Sequence, residues 1–159
     1  MSETTINAPA NTPFIEVLRE FAATPAQLFK VSTDPDLVAQ WLGPNELEME
    51  VVEYDVRPGG RYRYIHRDAD GGEYAFRGVF HAIVPGEMVI QTFEYEGFPG
   101  EVSLEKATYT ATENGVQLRV WSVFPSIEAR DGMVASGMER GLNDGLDKLT
   151  ALLAKETGR

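Results

Sequence analysis

The stretch from Ser126 to about Lys155, SIEARDGMVASGMERGLNDGLDKLTALLAK, constrains the fold more than any other part of the chain. At about 100° per residue, Val134, Met138, Leu142, Leu146, Leu149, Leu152 and Leu153 fall within one arc of about 140°, which predicts one long amphipathic helix. Pro125 and Ser126 supply a stop and an N-cap, Glu128 sits in the first turn, and Lys155 and Gly158 lie where a helix end favours them. At about 1.5 Å per residue such a helix is roughly 40 Å long, enough to cross a small sheet. Within it Gly137, Gly141 and Gly145 recur at every fourth position, although each interior glycine costs about 1 kcal/mol relative to alanine. Gly141 and Gly145 fall inside the apolar arc and Gly137 at its edge, so side-chain volume is missing from the side turned to the protein. Two readings stand: the helix approaches a sheet closely, or it leaves a space that a small apolar ligand fills. Glu139, Arg140, Asp144, Asp147 and Lys148 exclude a membrane-spanning glycine motif.

Upstream the pattern is different. Phe14 to Phe21 reads as a first strand. Thr24-Pro25 and Asp34-Pro35 each give an N-cap followed by proline at the first helical position, so two short helices follow, the second stopping at Gly43-Pro44. From there to Phe124 the periodicity is two, punctuated by Pro58-Gly59-Gly60, Asp70-Gly71-Gly72, Pro85-Gly86, Gly97-Phe98-Pro99-Gly100 and Asn114-Gly115. Six strands result, roughly 46–56, 61–67, 73–84, 87–95, 102–112 and 116–124, and turns this short make neighbours antiparallel. The expected fold is α+β: a curved antiparallel sheet of about seven strands gripping the terminal helix, in which a bulge at Val51-Val52 or near Gly78 would switch the inward faces.

At 159 residues the chain reads as a single domain over 14–159, with 1–13 a disordered tail. It has no cysteine, which removes disulfides, thiolate metal sites and cysteine nucleophiles. The first residues lack an apolar core and a basic flank, so a secretory signal is not expected and the cytoplasm is the default compartment. A net charge of −11 repels phosphate backbones and anionic lipid, so neither nucleic-acid binding nor membrane insertion is expected.

Several segments, taken in order, resemble a known family: Thr33-Asp34-Pro35 through Trp41-Leu42-Gly43-Pro44, Asp55 through Tyr62, Gly72 through Phe80, and Ser136 through Leu142 with Leu146-Asp147-Lys148-Leu149. The chain is similar to the bacterial branch of the proteins related to the activator of the heat-shock-protein-ninety ATPase, within the SRPBCC or START-like superfamily. The resemblance implies the helix-grip fold with a cavity between sheet and terminal helix. It leaves function open, because relatives include lipid carriers, hormone binders, cyclases, sequestering resistance proteins and chaperone activators.

The cavity reading selects Tyr62, Tyr64, Phe76, Phe80, Ile90, Thr92, Tyr109, Val120 and Ser122 as inward strand positions, with Met138, Gly141, Leu142 and Gly145 facing them from the helix. His66, sharing a face with Tyr62 and Tyr64, is the weak candidate for proton transfer, against a plain role in the wall. Glu94, in phase with Ile90 and Thr92, is a candidate inward carboxylate, either with a raised pKa or paired with an arginine such as Arg63 or Arg119, against a plain place at the strand end in solvent. Trp41 either anchors the second helix or lids the cavity. Arg57, Arg61, Arg63, Arg67 and Arg77 form a basic stripe, read as a solvated face paired with Glu53, Asp55 and Glu73. No metal site and no cofactor are expected. The favoured function is binding of a small, largely apolar molecule, aromatic or lipid-like. An enzyme of cyclase, dehydratase or hydrolase type, or a chaperone-interacting module, is the alternative, and a homodimer stays open.

Overall fold

A computed structural model describes residues 3–156. In chain order the elements are β1 (Thr5–Asn7), β2 (Phe14–Phe21), α1 (Pro25–Thr33), α2 (Pro35–Val38), β3 (Glu48–Tyr54), β4 (Arg61–Arg67), β5 (Glu73–Val84), β6 (Met88–Tyr95), β7 (Ser103–Thr112), β8 (Gly115–Val123), α3 (Ile127–Ala135) and α4 (Met138–Glu156). The strands form one antiparallel sheet in the order β1-β2-β8-β7-β6-β5-β4-β3, so the short hairpins run from β3 to β8 and β2 closes beside β8. This is the helix-grip arrangement, with eight strands rather than about seven.

The two short helices start as their sequences dictate. Gln27 N–H donates to Thr24 Oγ1 at 3.1 Å and Thr24 N–H to Gln27 Oε1 at 2.8 Å, a reciprocal capping box, while Asp34 Oδ1 accepts from Asp36 N–H at 3.0 Å. The core forms where β2 and β8 meet α4. Ile15, Val17, Phe21, Val116 and Leu118 on the sheet enclose Leu146, Leu149, Leu152 and Leu153, each such leucine contributing about 2 kcal/mol. Arg19 lies among them, its two terminal guanidinium nitrogens donating to Asp147 Oδ1 and Thr150 Oγ1, each at 3.0 Å, and to Thr4 Oγ1 at 3.1 Å, while its buried Nε finds no partner among the described residues.

The terminal segment departs from expectation. It is two helices, because Gly137 adopts φ +84 just beyond the C-cap Ser136, a left-handed turn that ends α3. The change of direction leaves Val134 exposed, outside the apolar arc assigned to it, while Met133 packs against the core instead. Gly158 lies outside the described residues.

The expected tail is also corrected. Thr5–Asn7 pairs with Glu16–Leu18 as an eighth strand, and the buried Arg130 of α3 donates to the carbonyls of Pro9 at 3.0 Å and Phe14 at 3.2 Å. Backbone amides left open on the outer edge of β2 are met by this strand, which binds the segment down. Met1 and Ser2 lie outside the described residues.

Candidate functional site

The sheet's register fixes which side chains share its concave face. One row crosses it as Phe80, Gln91, Glu105, Ser122 and Ile15, each opposite the next on the neighbouring strand. Flanking rows carry Val120 beside Ala107, Tyr109 beside Leu118, and Tyr64 beside Phe76. Aromatic rings pave one side: Tyr64 stacks on Phe76 with centroids 5.3 Å apart, and Phe76 stacks on Phe93 at 5.4 Å. Tyr62 is held by its hydroxyl, which donates to the Thr92 carbonyl at 2.6 Å, and Gly78 makes this possible because any Cβ there would run into Tyr62 and the Thr92 carbonyl. Burial raises the pKa of both Tyr62 and Tyr64, so both phenols stay neutral.

Toward β2 and the C-terminal part of α4 this face is sealed. Toward α3 and the start of α4 it is not. Gln91, Phe93, Glu105, Ala107, Val120 and Phe124 are only half-buried, although they lie on the inner face of central strands. Met133, Met138 and Leu142, which face the core from the helices, are half-buried as well. These side chains belong inside yet keep surface that water-sized groups can reach, so α3 and the start of α4 do not fully cover this part of the face. Two other hollows, of about 420 Å³ between α2 and β3 and about 360 Å³ beside β1 and β2, lie outside this set.

Glu105 stands at the middle of the row. Ser122 Oγ donates to its Oε2 at 3.2 Å, and burial raises the pKa of its carboxyl to about 7, that hydrogen bond opposing the rise. No arginine or lysine forms an ion pair with it among the described residues. Glu105 and Gln91 were missed in the sequence because a carboxylate breaks the apolar pattern of an inner face. The signal was nonetheless there: with Tyr109 inward, strict alternation turns Ala107 and Glu105 inward too.

Of the residues selected from sequence, Tyr62, Tyr64, Phe76, Phe80, Tyr109, Val120 and Ser122 gather on the concave face, with Met138 and Leu142 packed over the core. Ile90, Thr92 and Glu94 do not. Gln91 and Phe93 take the inner positions of β6, and Glu94 lies across from Arg77 on the outer face. There its carboxylate accepts from Gly100 N–H at 2.8 Å and pairs with Arg77 at 3.1 Å, which together lower its pKa. Both alternating faces of MVIQTFEY carry apolar residues, so the pattern alone does not fix the phase.

Gly141 and Gly145 are also reassigned. A Cβ on Gly145 would meet the Trp41 carbonyl at 3.0 Å and Gly43 N at 3.3 Å, and one on Gly141 would meet Pro44 at 3.5 Å. The glycines therefore seat α4 against the loop after α2, not over an empty patch of sheet. Gly43 in turn packs onto His66, where a Cβ would lie 2.5 Å from Cε1. His66 is buried, its Nδ1 has no partner, and its pKa is lowered by burial and by Lys148 against a backbone hydrogen bond to Glu48. Trp41 is an anchor: its indole N–H donates to the Val31 carbonyl at 2.9 Å. The basic stripe is ion-paired across the outer face, Arg57 with Asp55, Arg61 with Glu53, Arg63 with Glu96 and Arg67 with both Glu50 and Glu73. Among the described residues no three acidic or histidine side chains gather as a metal ion requires, and no helix is long and apolar enough to cross a membrane.

Solved structures share this architecture. A Rhodobacter sphaeroides protein superposes with a TM-score of 0.89 at 27% identity, over 96% of this chain and 99% of its own. A Chromobacterium violaceum protein does so with 0.80 at 26% identity, over 89% and 96%. The AHSA1 protein of Silicibacter pomeroyi gives 0.74 at 23% identity over 90% and 99%, a likeness of fold. No curated protein matches. The family model described as "Activator of Hsp90 ATPase homolog 1-like protein" matches residues 22–154, from α1 through β8 to near the end of α4, and the chain belongs to that family.

Proposed function

We propose that this chain binds a small, largely apolar molecule, aromatic or lipid-like, between the concave face of the sheet and the α3–α4 turn. Family membership supports either a ligand-binding module or one resembling an activator of the Hsp90 ATPase. The observation that favours the first is the ring of half-buried side chains on the inner face, Phe93, Ala107, Val120 and Phe124 from the sheet with Met138 and Leu142 from the helix. A folded core closes its own apolar surface unless something else is to cover it. Tyr64, Gln91 and Ser122 supply polar groups at the same face for orientation.

Native mass spectrometry of the protein as purified tests this. A retained small molecule is expected, and Ala107→Leu, which fills the space from its floor, is expected to lose it while keeping the far-UV spectrum. Wild-type protein that carries nothing, and whose tryptophan fluorescence no apolar compound perturbs, would refute the reading. A chaperone partner would engage the outer surface, and its binding would survive Ala107→Leu.

A further inference from the structure

The small-molecule reading leaves one group unexplained. A carboxyl placed among aromatic and aliphatic side chains is unfavourable unless it is paired, and Glu105 receives a single hydrogen bond, from Ser122 to Oε2. Among the described residues nothing donates to its other oxygen, Oε1, and that oxygen is not sealed from water-sized groups. Its cross-strand partners, Gln91 on β6 and Ser122 on β8, are uncharged, and so are Tyr62 and Tyr64 of β4, which stand close enough to feel its charge. The two buried cations of the same interior are committed elsewhere, Arg19 to Asp147 and Arg130 to Asp131. The protein supplies an anionic acceptor and a wall of rings, and among the described residues no arginine or lysine forms an ion pair with that acceptor.

Resting on the ligand-binding reading above, we infer that the ligand is an amine taken in its protonated form, its ammonium received by Glu105 Oε1 and its apolar body lying against Tyr64, Phe76 and Phe93. The pairing is chemically matched. An ammonium donates to the free oxygen, and its charge is also attracted by the faces of aromatic rings. A neutral ligand of the same shape offers Oε1 at most an uncharged hydrogen bond, roughly half as strong, and an anionic one would be repelled. Because burial holds the free carboxyl half-protonated near neutral pH, amine binding tightens as the pH rises from 6 to 8 and the proton leaves.

The test is calorimetric titration of the purified chain with matched amine and alcohol probes on three bodies: phenylethyl, indolylethyl and naphthylmethyl. For at least one body the amine is expected to bind about tenfold or more tightly than the alcohol at pH 8, with the ratio shrinking at pH 6. In Glu105→Gln, with folding checked by circular dichroism, the two are expected to bind within about twofold of each other. Equal binding of amine and alcohol to wild type, or a preference that survives in Glu105→Gln, overturns the amine assignment and leaves the small-molecule site standing. Failure of every probe to bind overturns both. Wild-type selectivity and its pH dependence decide the matter even if the variant does not fold.

Discussion

Glu105→Gln tests, without any ligand, whether a carboxyl is held against its preference inside the sheet–helix interface. Its pKa is about 7 in the folded protein against an ordinary 4.5. For an acid raised on folding, the folded and unfolded chains are both protonated below the lower value, and no stability is lost there. Stability then declines as the pH rises from 4.5 to about 7 and is level above. At about 1.4 kcal/mol for each pH unit of separation the full loss is about 3 kcal/mol, of which about 2–3 kcal/mol falls between pH 5 and pH 8. Glutamine has nearly the same shape and no proton to lose, so the variant escapes this decline. Urea unfolding of both proteins at pH 5 and pH 8 reads the effect directly, since every other titrating group cancels in the comparison. The advantage of Glu105→Gln over wild type is expected to grow by about 2–3 kcal/mol from the lower to the higher pH, a melting-point gain at pH 8 of roughly 6–12 °C. An advantage that is the same at both pH values would refute the burial argument.

The helix glycines separate in the same assay. Gly141→Ala, whose Cβ meets Pro44 at an ordinary 3.5 Å, is expected to stabilise by about 0.5–1 kcal/mol, whereas Gly145→Ala, pressed to 3.0 Å from the Trp41 carbonyl, is expected to gain nothing or lose stability. Equal gains in thermal melts would show that the loop after α2 yields freely. Arg130→Met leaves the carbonyls of Pro9 and Phe14 without their buried donor and is expected to cost about 2–3 kcal/mol in urea unfolding, with wild-type stability the contrary result.

Much of the architecture was legible because local chemistry and tertiary structure agree. Strand boundaries at Arg61–Arg67 and Glu73–Val84 and helix starts at Pro25 and Pro35 stand where turn residues and caps place them. Irregularities fall between Val51 and Glu53 and between Phe80 and Ala82, close to the two places where a bulge would switch the strand phase. What failed was relational. The segment from Ser126 keeps its helical period through Gly137, and only the turn actually taken there decides that Val134 leaves the core. Glu94 was misplaced for a related reason: it lies on a strand with apolar residues on both alternations, and only the register opposite Arg77 shows that it points outward. The helix glycines were correctly seen as a missing volume, but their counterpart is the Trp41–Pro44 loop, whose place no periodicity encodes.

The far border of the sheet has its own consequence. Exposed Glu48, Glu50 and Glu53 stand along β3, and the extra residue at Val52 interrupts its row of backbone donors and acceptors. A second copy aligned strand to strand would set these carboxylates against their own kind across a ladder with a broken rung. At the opposite margin only the three residues of β1 are on offer. Lateral growth into ribbons or fibrils is thus discouraged at both borders, and any self-association must use a helical surface or the outer sheet face.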